Sequence, residues 1–213
     1  MEEKKVGSVG WTIMFILGAL FVVGWAAFSP LSFSSATKAS PFGMGFMKFF
    51  ILGTIGEIIK CGIARKRWAV DWPVGRAIVW GGFGIWITLA FPLFSAGVDF
   101  LIKQGLWWSW FPALSKSLWI NLLGGYAWSM MMTHEYFNFL IKERLNAFGL
   151  CWFADQMDRR FAFRFVPKTM LFFWVPAHTA TFSLPPEWRV FAAALLAIAL
   201  GFFLSVGKRR AVA

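Results

Sequence analysis

Two residues of opposite charge, Glu57 and Lys60, stand three positions apart inside the otherwise apolar stretch from about Phe42 to Ile63. At that spacing they share one face of a helix and can pair with each other. Gly53, Gly56 and Cys61 fall on the same side, and small residues there admit a second helix or a file of water. Lys48, nearer the other end of the stretch, is expected to run its stem along apolar surface and reach the interface. Arg76 and Asp99 lie near opposite ends of the next apolar stretch. Asn121 falls between Ser117 and Gly125 at intervals of four, and His178 follows Pro176 by two. An amide or imidazole in hydrocarbon needs a hydrogen-bond partner. His178 is expected to find one in a carbonyl that Pro176 frees from its helix. Open to these residues is electrostatic chemistry. Glu57 and Lys60 would set the field at an inner mouth, with Arg76 and His178 as further polar positions. Asn121 would offer hydrogen bonds midway, and Asp99 would stand near an outer mouth. The competing expectation is structural: an internal Glu57–Lys60 pair, a satisfied histidine and small-residue faces that only pack.

Other chemistries find no support. There is no Gly-x-Ser-x-Gly, no His-Glu-x-x-His and no Walker-type loop. Gly81-Gly82-Phe83-Gly84 is glycine-rich but sits in an apolar run with no lysine following. Cys61 and Cys151 form no Cys-x-x-Cys pair, and the two histidines, His134 and His178, are far apart, so no metal site is expected. No catalytic residue and no cofactor is assigned.

The elements that must position these residues follow from composition. Of 213 residues, 59% are hydrophobic and 15% charged, against about 25% charged in an ordinary soluble domain. That balance excludes a water-solvated body and points to a single all-α domain of transmembrane helices. About 20 apolar residues cross a bilayer. On that measure the expected spans are about 9–28, 42–63, 74–100, 113–132, 166–183 and 187–206. The Ser/Thr-rich stretch Leu31–Ser40 reads as a loop, Pro92 as a kink, and Pro176 as an interruption of the fifth span. The segment of about 134–165 is expected to lie along the inner interface as an amphipathic helix.

The net charge is +11, and its distribution is uneven. Lys4, Lys5, Arg65, Lys66, Arg67, Arg76, Lys142, Arg144, Arg159, Arg160, Arg164, Lys168, Lys208, Arg209 and Arg210 collect at one set of span ends. Only Lys38, Lys103, Lys116 and Arg189 stand at the other. This asymmetry alternates correctly if six segments cross, with both termini cytoplasmic. No basic soluble face suited to nucleic acid is visible. The expected partners are the lipid bilayer, with anionic head groups at the inner face, small solutes, and further copies of the chain. The expected address is a cell inner membrane.

Several pieces together resemble the Mpv/PMP family of small peroxisomal and mitochondrial inner-membrane proteins. They are Gly53-Thr54-Ile55-Gly56-Glu57 with Lys60-Cys61, then Arg76, Gly81-Gly82-Phe83-Gly84, Pro92 and Asp99, then Lys116 ahead of Asn121. Trp174, Pro176 and His178 follow, and last come Leu184-Pro185, Trp188-Arg189, Leu204-Ser205 and Lys208-Arg209-Arg210. The chain looks like a prokaryotic relative. Cys61 replaces the family's glutamine, and Asn121 replaces an acid. The family is usually drawn with four spans, fewer than the six read here. The resemblance implies a small pore. The expected function is therefore a weakly selective channel for small solutes. A non-conducting assembly or scaffold protein is the alternative, and a membrane enzyme or lipid-handling protein using His178 or the inner aromatic-basic helix comes third.

Overall fold

The computed structural model describes residues 3–142, 153–154, 157 and 159–210, with the backbone alone for 3–8, 64–65, 142, 200 and 202–210. Every element among them is helical. In order these are α1 (Glu3–Phe28), α2 (Pro30–Ala39), α3 (Pro41–Arg65), α4 (Pro73–Lys103), α5 (Pro112–Leu118), α6 (Tyr126–Lys142), α7 (Val166–Thr169), α8 (Val175–Phe182) and α9 (Pro186–Arg210). Wider turns of π pitch cover Trp119–Leu123, Phe161–Phe165 and Met170–Trp174.

Three helical stretches are long and apolar enough to cross a membrane: Val9–Phe28, Pro41–Ile63 and Pro73–Lys103. At 1.5 Å per residue, even the 20-residue first stretch reaches about the 30 Å of a hydrocarbon core.

The chain packs as two compact units. The first comprises Met1–Thr88 with Val190–Ala213, and the second Leu89–Arg189. In the first, α3 is the central helix. Leu52, Ile55 and Ile58 on it are buried, as are Phe15 of α1 and Ala77 of α4. Gly56 lets the α9 backbone come close: a Cβ there would stand 2.6 Å from the Ala197 carbonyl oxygen, and one on Gly201 would overlap the Gly56 carbonyl.

Local chemistry overturns three expectations. Residues 30–39 are a helix and not a loop. Pro30 occupies the first helical turn, where its missing N–H has no carbonyl to serve, and Phe33 and Thr37 are buried one turn apart. The fifth segment is not interrupted at Pro176. It runs helically from Phe161 to Phe182, widening to π pitch ahead of Pro167 and again ahead of Pro176. A proline clashes with the carbonyl four residues back, and a wide turn makes room for the ring without ending the helix. The fourth segment, expected as one span to residue 132, divides at Gly124-Gly125. Gly125 has φ +65°, a conformation that glycine adopts without strain, and α6 starts afresh at Tyr126.

The expected interfacial segment of about 134–165 lies in part outside the described residues. Its start, through Lys142, continues α6.

Candidate functional site

In the first unit, α3 and the start of α4 bring Glu57, Lys60 and Arg76 together. Glu57 is buried, 6% exposed at its side chain. Its Oε2 accepts from Arg76 Nη1 at 3.1 Å, while Lys60 Nζ stands 4.0 Å from Oε1. The partner foreseen for Glu57 was Lys60 on its own helix. Arg76, from the next helix, makes the closer contact. A guanidinium carries a rigid fork of donors and stays charged when half-buried, which suits it to an enclosed carboxylate better than an ammonium. Arg76 is itself aimed by a second bond, from Nε to the Asp71 carbonyl oxygen at 2.9 Å. Asp71 in turn pairs with Arg67 at 2.9 Å on the exposed surface. Three ionised groups thus meet where α3 ends and α4 begins, with one carboxylate held between two cations.

Lys48 corrects another expectation. It does not extend to an interface but is wholly buried. Its Nζ donates to Thr37 Oγ1 at 2.7 Å and sits 4.5 Å from the centroid of the Phe33 ring. The α2 helix supplies both partners. Nothing in the sequence signalled this contact, because that stretch reads as a loop. No acidic side chain pairs with Lys48 among the described residues.

In the second unit the buried polar network around Asn121 is built from neutral groups. Asn121, on the wide turn after α5, donates from Nδ2 to the Ser117 carbonyl at 2.8 Å and to Ser117 Oγ at 3.2 Å. Ser117 Oγ donates onward to the Val175 carbonyl at 2.7 Å. A carbonyl only accepts, so the amide orientation is settled and Oδ1 must serve as an acceptor. It faces His178 Nδ1 at 3.1 Å, which therefore carries the proton. His178 takes this bond in place of the carbonyl foreseen near Pro176. The wide turn ahead of Pro176 keeps the helix going and leaves the imidazole to face α5. Trp174 and Phe91 pack around it, with ring centroids 5.1 and 5.5 Å from the imidazole.

Asp99 joins neither group. It is half-exposed and pairs with Lys116 at 2.8 Å. Nearby in this unit, Arg189 donates from Nε to the Leu184 carbonyl and lies 5.5 Å from the Phe182 ring. Among the described residues no three His, Cys, Asp or Glu side chains gather as a metal site would require.

Fold and site define a class: an all-helical chain with three membrane-length apolar helices, in which buried polar groups are turned toward one another. Comparison with known proteins gives no match, whether to a family model, a curated protein or a solved structure.

Proposed function

We propose that this chain is a six-span protein of a cell inner membrane, with both termini in the cytoplasm, that passes small solutes with weak selectivity. The observation that carries this reading is Glu57, held inside a membrane-length helix between Arg76 and Lys60. An ionisable group inside a span is costly to insert, by about 2.5–3.5 kcal/mol at the span's centre and less toward its ends, and such groups mark polar pathways. In this reading the three apolar helices supply half of the crossings. The others come from α5 with α6, from the continuous helix Phe161–Phe182, and from α9. The basic residues crowded at one set of ends favour an even number of crossings. The resemblance to the Mpv/PMP family favours a small pore, though not the count of six spans.

The test is conductance of the purified chain in planar bilayers. Glu57→Gln removes the carboxylate between two cations and should shift preference toward anions. A folded preparation that conducts nothing overturns the proposal.

A second reading is a non-conducting assembly protein. It is favoured by the backbone-to-backbone approach of Gly56 and Gly201, a use of small residues for packing alone. Stable co-purification of a partner from the membrane, together with silent bilayers, would decide for it.

A further inference from the structure

Both α3 and α4 contain a stretch long and apolar enough to cross a membrane, and only residues 66–72 join the two helices. A link of that length stretches to at most about 25 Å, short of a hydrocarbon core of about 30 Å. It therefore stays at the boundary between lipid and water where α3 ends.

The backbone of this link is tied down. Ala69 and Val70 are buried, and Thr12 Oγ1 donates to the Trp68 carbonyl at 2.9 Å. Its two indoles nevertheless stay exposed, Trp68 at 59% and Trp72 at 53%. Each has room reserved for one side of its ring. A Cβ on Gly62 would overlap the Trp68 ring, and one on Gly75 the Trp72 ring. Trp72 also holds φ +52°, the left-handed region that a bulky side chain enters only under strain. Glycine would adopt that conformation freely. A strained and half-exposed tryptophan adds little to the fold, which points to a use outside it.

Charge gathers on the same link. Between positions 57 and 76 the chain carries Lys60, Arg65, Lys66, Arg67 and Arg76 against Glu57 and Asp71. Lys66 and Arg67 are exposed. Arg67 gives Nη2 to Asp71 at 2.9 Å. The rest of its fork, like the Lys66 ammonium, bonds to nothing among the described residues.

Indole rings settle at the level of lipid glycerol and ester groups, where their N–H can donate. A guanidinium beside an ammonium suits a phosphate. A zwitterionic lipid brings a cation of its own, which the positive excess repels.

We propose that the link between α3 and α4 is a binding site for one anionic phospholipid. Its phosphate accepts from Arg67 and Lys66, and its glycerol and upper acyl chains rest against Trp68 and Trp72. The site needs α3 and α4 to cross the membrane but is independent of conduction: a silent bilayer leaves it intact, and an empty site leaves the channel reading intact.

The experiment is native mass spectrometry of the full chain in detergent micelles, titrated with phosphatidylglycerol or phosphatidylcholine. The first phosphatidylglycerol should bind about tenfold more tightly than phosphatidylcholine and saturate at one per chain. Lys66→Gln with Arg67→Gln should abolish that preference. Lys208→Gln with Arg209→Gln removes as much charge elsewhere and should leave it unchanged. Trp72→Gly should weaken binding of both lipids about fivefold, with a thermal unfolding midpoint as high as that of the natural chain or higher. Millimolar glycerol phosphate should displace nothing. Equal affinity for the two lipids overturns the proposal, and should a variant fail to fold, that comparison on the natural chain decides. An equal loss from the Lys208 and Arg209 pair also overturns it, since the attraction is then diffuse. So does unaltered binding in Trp72→Gly, or displacement by glycerol phosphate, which would assign the site to soluble phosphates.

Discussion

In the first unit a carboxylate is enclosed with two cations, Arg76 at 3.1 Å and Lys60 at 4.0 Å. In the second an amide, a hydroxyl and an imidazole are enclosed with no charge among them, linked at 2.7 to 3.2 Å. Both arrangements meet the demand that buried polar atoms be bonded. They differ in what happens when one member is lost. Removing one member of an ion pair leaves the other as a bare charge, whose desolvation is then unopposed. Removing one member of a neutral network leaves a dipole unmet, at a smaller cost.

The largest expected effect follows from that difference. Arg76→Leu should destabilise the chain by about 3–5 kcal/mol, the range for breaking one side of a buried pair. Reversible unfolding in mixed micelles measures it. The double variant Glu57→Gln with Arg76→Met should recover most of that loss, since the only charge left is Lys60, whose side chain is 26% exposed. If single and double variants fall equally, the pair's electrostatics is not what holds this region.

Asn121→Leu should come next, at about 1–3 kcal/mol, from the unmet Nδ1–H of His178 and Oγ of Ser117. Followed by unfolding in the same micelles, it should prove insensitive to salt. Ser117→Ala removes the bond to the Val175 carbonyl and the longer one from Asn121 and should cost about 1 kcal/mol. A loss as large as that of Arg76→Leu would show that the neutral network is as unforgiving as the charged one.

The smallest effect is expected for Lys60→Met. Its side chain is 26% exposed and its ammonium stands 4.0 Å from Glu57, so the loss should stay below about 1 kcal/mol and shrink further in high salt. A drop matching that of Arg76→Leu would make Lys60 the chief partner of Glu57.

Much of this was legible in the order of residues. Long apolar runs announced α1, α3 and α4, because a run of about 20 such residues has few other uses. The polar exceptions within apolar stretches, Glu57, Asn121 and His178, were equally visible as groups in need of partners. Their partners were not. Arg76 is 19 positions from Glu57, and His178 is 57 from Asn121, so no helical spacing connects them. The α2 helix was missed because its serines and threonines suggest a loop, and with it went the burial of Lys48. The wide turn before Pro176 was read as a break because proline forbids an ordinary turn, whereas a turn of larger pitch was available.

By itself the sequence determined that the chain is helical and oily, that three of its stretches are long and apolar enough to span lipid, and which side chains are out of place there. Those are properties of local composition, and local composition is what a linear pattern records. Only the tertiary structure decided that Glu57 answers to Arg76, that Lys48 is enclosed, and that His178 holds its proton toward Asn121. Each of these depends on which helix faces which, and that is set by close packing between segments distant along the chain.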